Sequence, residues 1–220
     1  MRHLVTGATS GIGRDVALRL RDRGDDLVLL VRDRARATDF PDADLVVADL
    51  ADTGTFAGLD LGGGLDSVVH AAGVVELGPV GELDEQAWRH QLEINLVAPA
   101  LLTRAVLPAV RQAGGTVVFV NSGAGLAAHP QWSAYAASKF GLRALADSLR
   151  GEEPGIRVTT VFPGRTATPM QAEVHRQEGR TYDPADWIDP GTVADQIIRV
   201  IDLPDDATVP EIVIRPRSRP

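Results

Sequence analysis

The 220-residue chain contains no cysteine, which excludes a disulfide framework, a thiolate nucleophile and a Cys-ligated zinc or iron–sulfur centre. A reducing cytoplasm is the setting this fits. Long apolar runs are missing too. Leu4-Val5 gives way to Thr6-Gly7, far short of the ~7–15 apolar residues of a secretory signal. Leu27 to Val31 has the length of a buried strand, against ~18–20 residues for a membrane span. Neither a signal nor a membrane segment is expected. Basic charge is in deficit, with 22 Lys+Arg against 30 Asp+Glu and a formal charge of −8. Such a balance repels the phosphates of nucleic acid and anionic lipid, leaving a small molecule or a second copy of the chain as the expected partner. Internal repeats and low-complexity linkers are also lacking.

What is there is the composition of a globular protein, 44% apolar and 24% charged. A chain of this length suits one α/β domain spanning 1–220 and buries roughly 70% of its unfolded surface. Short Val- and Leu-rich runs recur at Leu4-Val5, Leu27 to Val31, Leu45 to Val47, Ser67 to His70, Thr116 to Val120, Val158 to Phe162 and Ile212 to Ile214. Amphipathic stretches between them predict helices over Gly11 to Gly24, Asp84 to Ala113, Ser133 to Arg150 and Thr192 to Asp202. Continuously apolar strands alternating with helices predict a doubly wound, Rossmann-type α/β fold, with seven parallel strands and helices on both faces. Pro99 and Pro108 should kink or break the second helical stretch. The least regular segment, Arg165 to Pro190, carries Pro169, Gly179, Pro184 and many charges, and is expected to be a sparsely held lid with a short helix of its own.

Thr6-Gly7-Ala8-Thr9-Ser10-Gly11-Ile12-Gly13 lies between the first strand and the first helix. Glycines there let a pyrophosphate approach free N–H groups at a helix N-terminus, where the dipole favours anions, so a dinucleotide site is expected. Spaced GxxxGxG, the glycines Gly7, Gly11 and Gly13 resemble the motif of the short-chain dehydrogenase/reductase family. The resemblance recurs along nearly the whole chain. It implies that Asp49, followed by Leu50, receives the adenine amino group; a capping aspartate is the alternative. His70-Ala71-Ala72-Gly73 resembles the family's NNAG segment with both asparagines replaced, so backbone contacts must position the cofactor there. His70 itself reads as a hydrogen-bonded residue at a strand end.

Tyr135 and Lys139 stand at i and i+4, on one face of a helix. A nearby ammonium stabilises a phenolate, so the pair is expected to lower the tyrosine pKa. Ser122 precedes Tyr135 by 13 residues and follows a strand, so strand end and helix meet over one pocket. This spacing and YxxxK both match the family, which implies that Ser122 binds the substrate oxygen, Tyr135 transfers the proton and Lys139 holds the ribose. Pro99 has no N–H to offer the Asn95 carbonyl. The family uses that carbonyl to hold a relay water, and a plain kink site is the other reading. Pro163-Gly164, followed by Thr166 and Thr168, resembles the family's PGxxxT segment and implies that Thr168 contacts the nicotinamide. Trp132, Met170, Val174, Tyr182 and Trp187 are candidate walls of an apolar substrate pocket, or ordinary packing.

At the end of the second strand, an enzyme choosing NAD places a carboxylate ~20 residues beyond its glycine motif. Here Val31 and Arg32 occupy that place, 19 residues after Gly13 for Arg32. Arg32 suits a 2′-phosphate, with Ser10 as a further donor, so NADP(H) is expected. NAD(H) stays open, because Asp33 is placed to pair with Arg32. The reading is an NADP-dependent carbonyl reductase or alcohol dehydrogenase that uses no metal. A non-catalytic NADP(H)-sensing regulator is the rival, and it has no use for an activated tyrosine. Family resemblance also implies a homodimer or homotetramer through the two long helical stretches, where Leu92, Val106, Leu142 and Leu145 read as surplus apolar surface.

Overall fold

A computed structural model describes residues 1–56, 58–59 and 61–217. All seven expected strands form: β1 (Arg2–Thr6), β2 (Asp26–Val31), β3 (Asp44–Val47), β4 (Ser67–His70), β5 (Thr116–Val120), β6 (Arg157–Pro163) and β7 (Glu211–Ile214). They make one sheet in the order β3-β2-β1-β4-β5-β6-β7, with every pairing parallel. The helices are α1 (Gly11–Asp22), α2 (Glu85–Leu92), α3 (Ala98–Ala113), α4 (Ser133–Glu152), α5 (Pro169–Gln177) and α6 (Pro190–Ile201).

A parallel sheet exposes two apolar faces and must cover both. Alternate residues divide them. Val5, Leu29, Val69, Val118 and Val161 pack with Val16 and Leu20 of α1 and with Val193 and Ile197 of α6. Leu4, Val28, Val68, Val117, Phe119 and Val158 pack with Leu102 and Val106 of α3 and with Leu142 and Ala146 of α4. Val106 and Leu142 are therefore core residues, not spare surface for a second subunit. Side-chain caps fix the helix starts: Asp84 accepts from Ala87 N–H at 2.8 Å, Thr168 from Gln171 N–H at 3.2 Å and Asp189 from Gly191 N–H at 2.7 Å.

The stretch predicted as one helix over 84–113 divides at a π-turn, Glu93–Val97, between α2 and α3. Pro99 then falls in the first turn of α3 and, having no N–H, gives the Asn95 carbonyl no α-helical donor, while Pro108 lies inside α3 without ending it. Taken together, Glu85–Ala113 is the one helical run among the described residues long and apolar enough to cross a membrane by length and composition. The sequence showed only strand-length runs because Arg89, Glu93 and Arg104 interrupt this one. Its Ala98, Leu102, Val106 and Val110 are buried against the sheet.

The segment expected to be sparsely held is tied at several points. Thr166 bridges Ile188, Ala167 N–H donates to the Ile188 carbonyl at 2.7 Å, and Arg165 pairs with Glu178 at 2.6 Å. Arg165 and Glu178 are spent on this contact, while Arg176, Arg180, Asp183, Asp186 and Asp189 stay exposed.

Leu102 has no exposed surface between α3 and the sheet. Leu102→Ala is expected to lower stability by about 2–5 kcal/mol, through lost burial and the cavity left behind. Urea unfolding followed by circular dichroism checks this as a reduced midpoint with an unchanged slope.

Candidate active site

The C-terminal ends of β1, β4, β5 and β6 open on a cavity of about 870 Å³. Thr6 Oγ1 accepts from the N–H groups of Ala71 and Ala72, each at 3.1 Å, and so draws the turn after β4 against the end of β1. Gly7 has φ +71°, and an added Cβ would lie 2.8 Å from Ala72 N. A Cβ on Gly13 would lie 2.5 Å from the Gly7 carbonyl oxygen. Gly13 is thus a packing glycine and is not on the cavity wall, whereas Gly7, Thr9, Ser10, Gly11 and Ile12 are. Ser10 caps α1 by its backbone alone, and no acidic residue stands in the first turn. The first-turn N–H groups therefore keep their capacity for an anion at the positive end of the helix dipole.

Arg32 lies exposed on the same wall and makes no ion pair among the described residues. Asp33 does not neutralise it; its Oδ1 accepts from Ala35 N–H at 2.9 Å and caps the turn Arg34–Arg36. Arg36, unnoticed in the sequence, lines the wall as well. Asp49 and Leu50 are there too, the Asp49 carboxylate capping a turn through Ala51 N–H at 2.9 Å. Ala71, Ala72, Gly73, Pro163, Gly164, Thr166 and Thr168 complete this side.

Ser122, Tyr135 and Lys139 come together on the adjoining wall. Ser122 follows β5 in extended conformation, its Oγ accepting from Ala124 N–H at 3.1 Å, and its hydroxyl is the polar neighbour that acts on the Tyr135 phenol. Lys139 Nζ donates to the Val120 carbonyl at 3.2 Å and lies 5.7 Å from the centre of the Tyr135 ring. Asn121, which the sequence reading passed over, sets their spacing. Its Oδ1 accepts from Ser122 N–H at 2.8 Å, and its Nδ2 donates to the Lys139 carbonyl at 3.0 Å. Lys139 is the only lysine in the chain. Both Tyr135 and Lys139 are almost wholly buried. Burial pushes the phenol up to about 12, with the Ser122 hydroxyl pulling the other way. The expected lowering is therefore not present in the free protein, where desolvation of the phenolate dominates. Burial pulls Lys139 down to about 8.

Asn95 stands behind this wall. Its side chain accepts from Val74 N–H and donates to the Val74 carbonyl, each at 2.9 Å, and donates to Ser138 Oγ at 3.0 Å. His70 is buried, bonds Thr103 Oγ1 at 2.9 Å and stacks on Phe119, and burial pulls its pKa down to about 3. It is a neutral core residue. Trp132, Met170 and Val174 line the cavity. Tyr182 and Trp187 do not: their rings pack on His175 at 5.3 and 5.2 Å, and Arg165 covers Trp187. Gln131, by contrast, lines the wall in a left-handed conformation, φ +70°, and its carbonyl accepts from Gly78 N–H at 2.8 Å. No local signal in the sequence marks it, since left-handed positions favour glycine or asparagine.

A sequence profile described as short chain dehydrogenase matches residues 2–179. An uncharacterized short-chain type dehydrogenase/reductase of Sinorhizobium fredii is 33% identical over 226 residues, covering 98% of this chain and 91% of the relative. Among solved structures, a metagenomic short-chain oxidoreductase in complex with NADP is 28% identical, with a TM-score of 0.80 over 99% of this chain and 98% of that one. An alcohol dehydrogenase from Thermococcus sibiricus complexed with 5-hydroxy-NADP shares the fold at a TM-score of 0.86 and 23% identity, over 100% of this chain and 98% of that one.

The lowered Lys139 pKa has a consequence for stability. Between about 8 and the ordinary 10.5 the unfolded chain binds a proton at Lys139 that the folded chain does not, so its contribution to stability rises with pH across that window. Below the window both states are protonated and the cost of the buried ammonium is fully present. Urea midpoints measured from about pH 7.5 to about pH 10 should climb more steeply in the parent than in Lys139→Met. Parallel curves would contradict the assignment.

Proposed function

The chain belongs to the short chain dehydrogenase family, and we propose that it is an oxidoreductase moving hydride between a nicotinamide dinucleotide and a ketone, aldehyde or secondary alcohol. NADP(H) is preferred over NAD(H) in this reading. The observation that carries it is the meeting of Ser122, Tyr135 and Lys139 on one cavity wall with the N-terminus of α1, which has no side-chain cap, on the next. The volume is within the ~300–1,000 Å³ of small-molecule sites, and the donors suit a dinucleotide. A dinucleotide would be held by the first-turn N–H groups of α1 at its pyrophosphate, by Asp49 and Leu50 at its adenine and by Lys139 at its ribose hydroxyls. Thr168, on the wall where α5 begins, would hold the carboxamide. Bound there, the nicotinamide supplies or accepts the hydride.

The chain's own residues handle the proton. In carbonyl reduction the Tyr135 hydroxyl donates its proton to the carbonyl oxygen as that oxygen gains charge, and Ser122 holds the same oxygen by a hydrogen bond. A buried phenol with its pKa pushed up to about 12 is fully protonated near neutrality, which is the form reduction requires. Lys139, still mostly an ammonium at pH 7 with a pKa of about 8, stabilises the phenolate left behind. The Asn95 carbonyl, on the π-turn, anchors the water that returns the proton. Alcohol oxidation runs the same transfers in reverse.

Arg32 supports the NADP(H) preference, since it is free of ion pairs among the described residues while Asp33 is committed to a cap. Two charge-assisted bonds to a 2′-phosphate are the interaction expected of it. A homodimer or homotetramer belongs to the same reading, supported by Phe140, a ring 42% exposed on α4. So does a cytoplasmic setting.

Two measurements test the proposal. With NADPH absorbance followed across a panel of carbonyl compounds, Tyr135→Phe is expected to lose ~10²–10⁴ in kcat while keeping its NADPH affinity. A variant reducing the best substrate at the parent rate overturns the role of Tyr135. Arg32→Ala is expected to lose about 10- to 100-fold in kcat/KM for NADPH and little for NADH. An unchanged ratio between the two cofactors, or a parent that prefers NADH, removes Arg32 from the phosphate site.

A further inference from the structure

Val74 and Val75 belong to the cavity wall, yet the segment 74–77 has no strand beside it. Side-chain amides stand in for the missing neighbours. On one edge, Asn95 bonds both the N–H and the carbonyl of Val74 at 2.9 Å, and Gln91 bonds both groups of Glu76 at 3.1 Å. On the other edge, Gln177 accepts from Leu77 N–H at 2.7 Å and donates to the Val75 carbonyl at 3.4 Å. Alternate residues of an extended chain direct their peptide groups to opposite edges, so 74 and 76 meet one set of partners and 75 and 77 the other.

The two edges differ in what holds the amides. Gln91 and Asn95 are buried, at 0% and 1% exposure, and they come from α2 and the π-turn beneath the wall. They fix the segment as a rail. Gln177 is half-buried and is the last residue of α5, the helix that brings Met170, Gln171 and Val174 to the cavity. Its neighbour Glu178 takes the Arg165 guanidinium at 2.9 and 2.6 Å, on the loop that follows β6. Consecutive side chains thus fasten the end of α5 to two separate segments, 75–77 and the loop after β6.

We propose that Gln177 is a positioning residue that sets the substrate side of the cavity, by docking α5 on the backbone of Val75 and Leu77. The proposal rests on the carbonyl-reductase reading of the site. Removing the Gln177 amide leaves the Asn95 and Gln91 bonds, the Arg165–Glu178 pair and the sheet in place, so the fold is retained; what is lost is the tie to 75–77 and one bond inside α5, from Gln177 Nε2 to Glu173 Oε1 at 2.8 Å. Substrate must then order α5 as it binds, and its apparent affinity falls by the fraction of molecules in which α5 is docked. Of the groups assigned to the nucleotide, only Thr168 belongs with α5, and it caps the end of the helix opposite Gln177; the glycine loop and Arg32 do not touch this tie.

The test compares Gln177→Ala, Gln177→Met, which keeps the side-chain length without hydrogen bonds, and Gln177→Glu, which keeps the acceptor for Leu77 N–H while setting a second carboxylate beside Glu173. For Ala and Met we expect KM for the best carbonyl substrate to rise about 3- to 10-fold, as for one or two net hydrogen bonds, with kcat within about twofold and NADPH affinity unchanged. Amide exchange should quicken at Leu77 and along α5, while Gln177→Glu retains protection at Leu77. Unchanged KM and unchanged exchange in both Ala and Met overturn the proposal, as does a loss confined to kcat. If the parent reduces no carbonyl compound, the functional reading fails, and exchange at Leu77 and α5 still decides whether the tie exists.

Discussion

Parallel pairing of β1 with both β2 and β4 is the constraint from which the site follows. A parallel ladder forces each connection to cross back over a face of the sheet, so every strand ends at the same edge. With β1 flanked by β2 on one side and β4 on the other, the chain leaves in opposite directions on either side of that point, and a crevice opens between the departing loops. The glycine loop, the turn after β4, Ser122 and the Pro163-Gly164 turn all reach this crevice because they are all strand ends. Thr6, at the tip of β1, then closes the two central turns together through its hydroxyl.

Within that frame, the reacting groups are placed by buried amides more than by charge. Asn121 joins the end of β5 to α4, which determines how far Ser122 stands from the Tyr135 and Lys139 face. A Cβ on Gly125 would lie 2.4 Å from Asn121 Oδ1, so the loop between them is shaped around this amide. Amides suit the task because each carries donor and acceptor together and satisfies both groups of a peptide unit without importing a charge into a dry interior. The one charge that is buried there, on Lys139, is correspondingly perturbed.

Much of this was legible in the sequence, for reasons that can be traced to individual residues. Doubly covered strands must be apolar throughout, so Val117-Val118-Phe119-Val120 and its counterparts announced themselves. Glycines at 7 and 13 mark a backbone approach that admits no side chain, and Tyr135 with Lys139 marks one helix face. What stayed hidden has no local signature. A glutamine on a helix looks the same whether it faces water or grips a distant backbone, so nothing local marks Gln91 or Gln177. The break expected at the prolines came at Pro99, just after the π-turn at 93–97, while Pro108 left its helix intact; the residue pattern marks the interruption and not its π form. Tyr182 and Trp187 looked like pocket walls because aromatic residues in an irregular segment usually need a partner. They found one in His175, away from the cavity. The direction of the tyrosine shift was misjudged for a related reason: spacing reveals a neighbouring ammonium but not the depth at which the pair is buried.

That the chain carries a single lysine, enclosed at 4% exposure in the cavity wall, makes its amine chemistry unusually sparse. Reagents that acylate or reductively alkylate primary amines meet only the N-terminal amine and Lys139 Nζ. Amine-directed immobilisation, cross-linking or fluorophore attachment under mild conditions is therefore channelled to the chain terminus, leaving the arginine-covered exterior unmarked. Any second attachment reports the openness of the cavity itself.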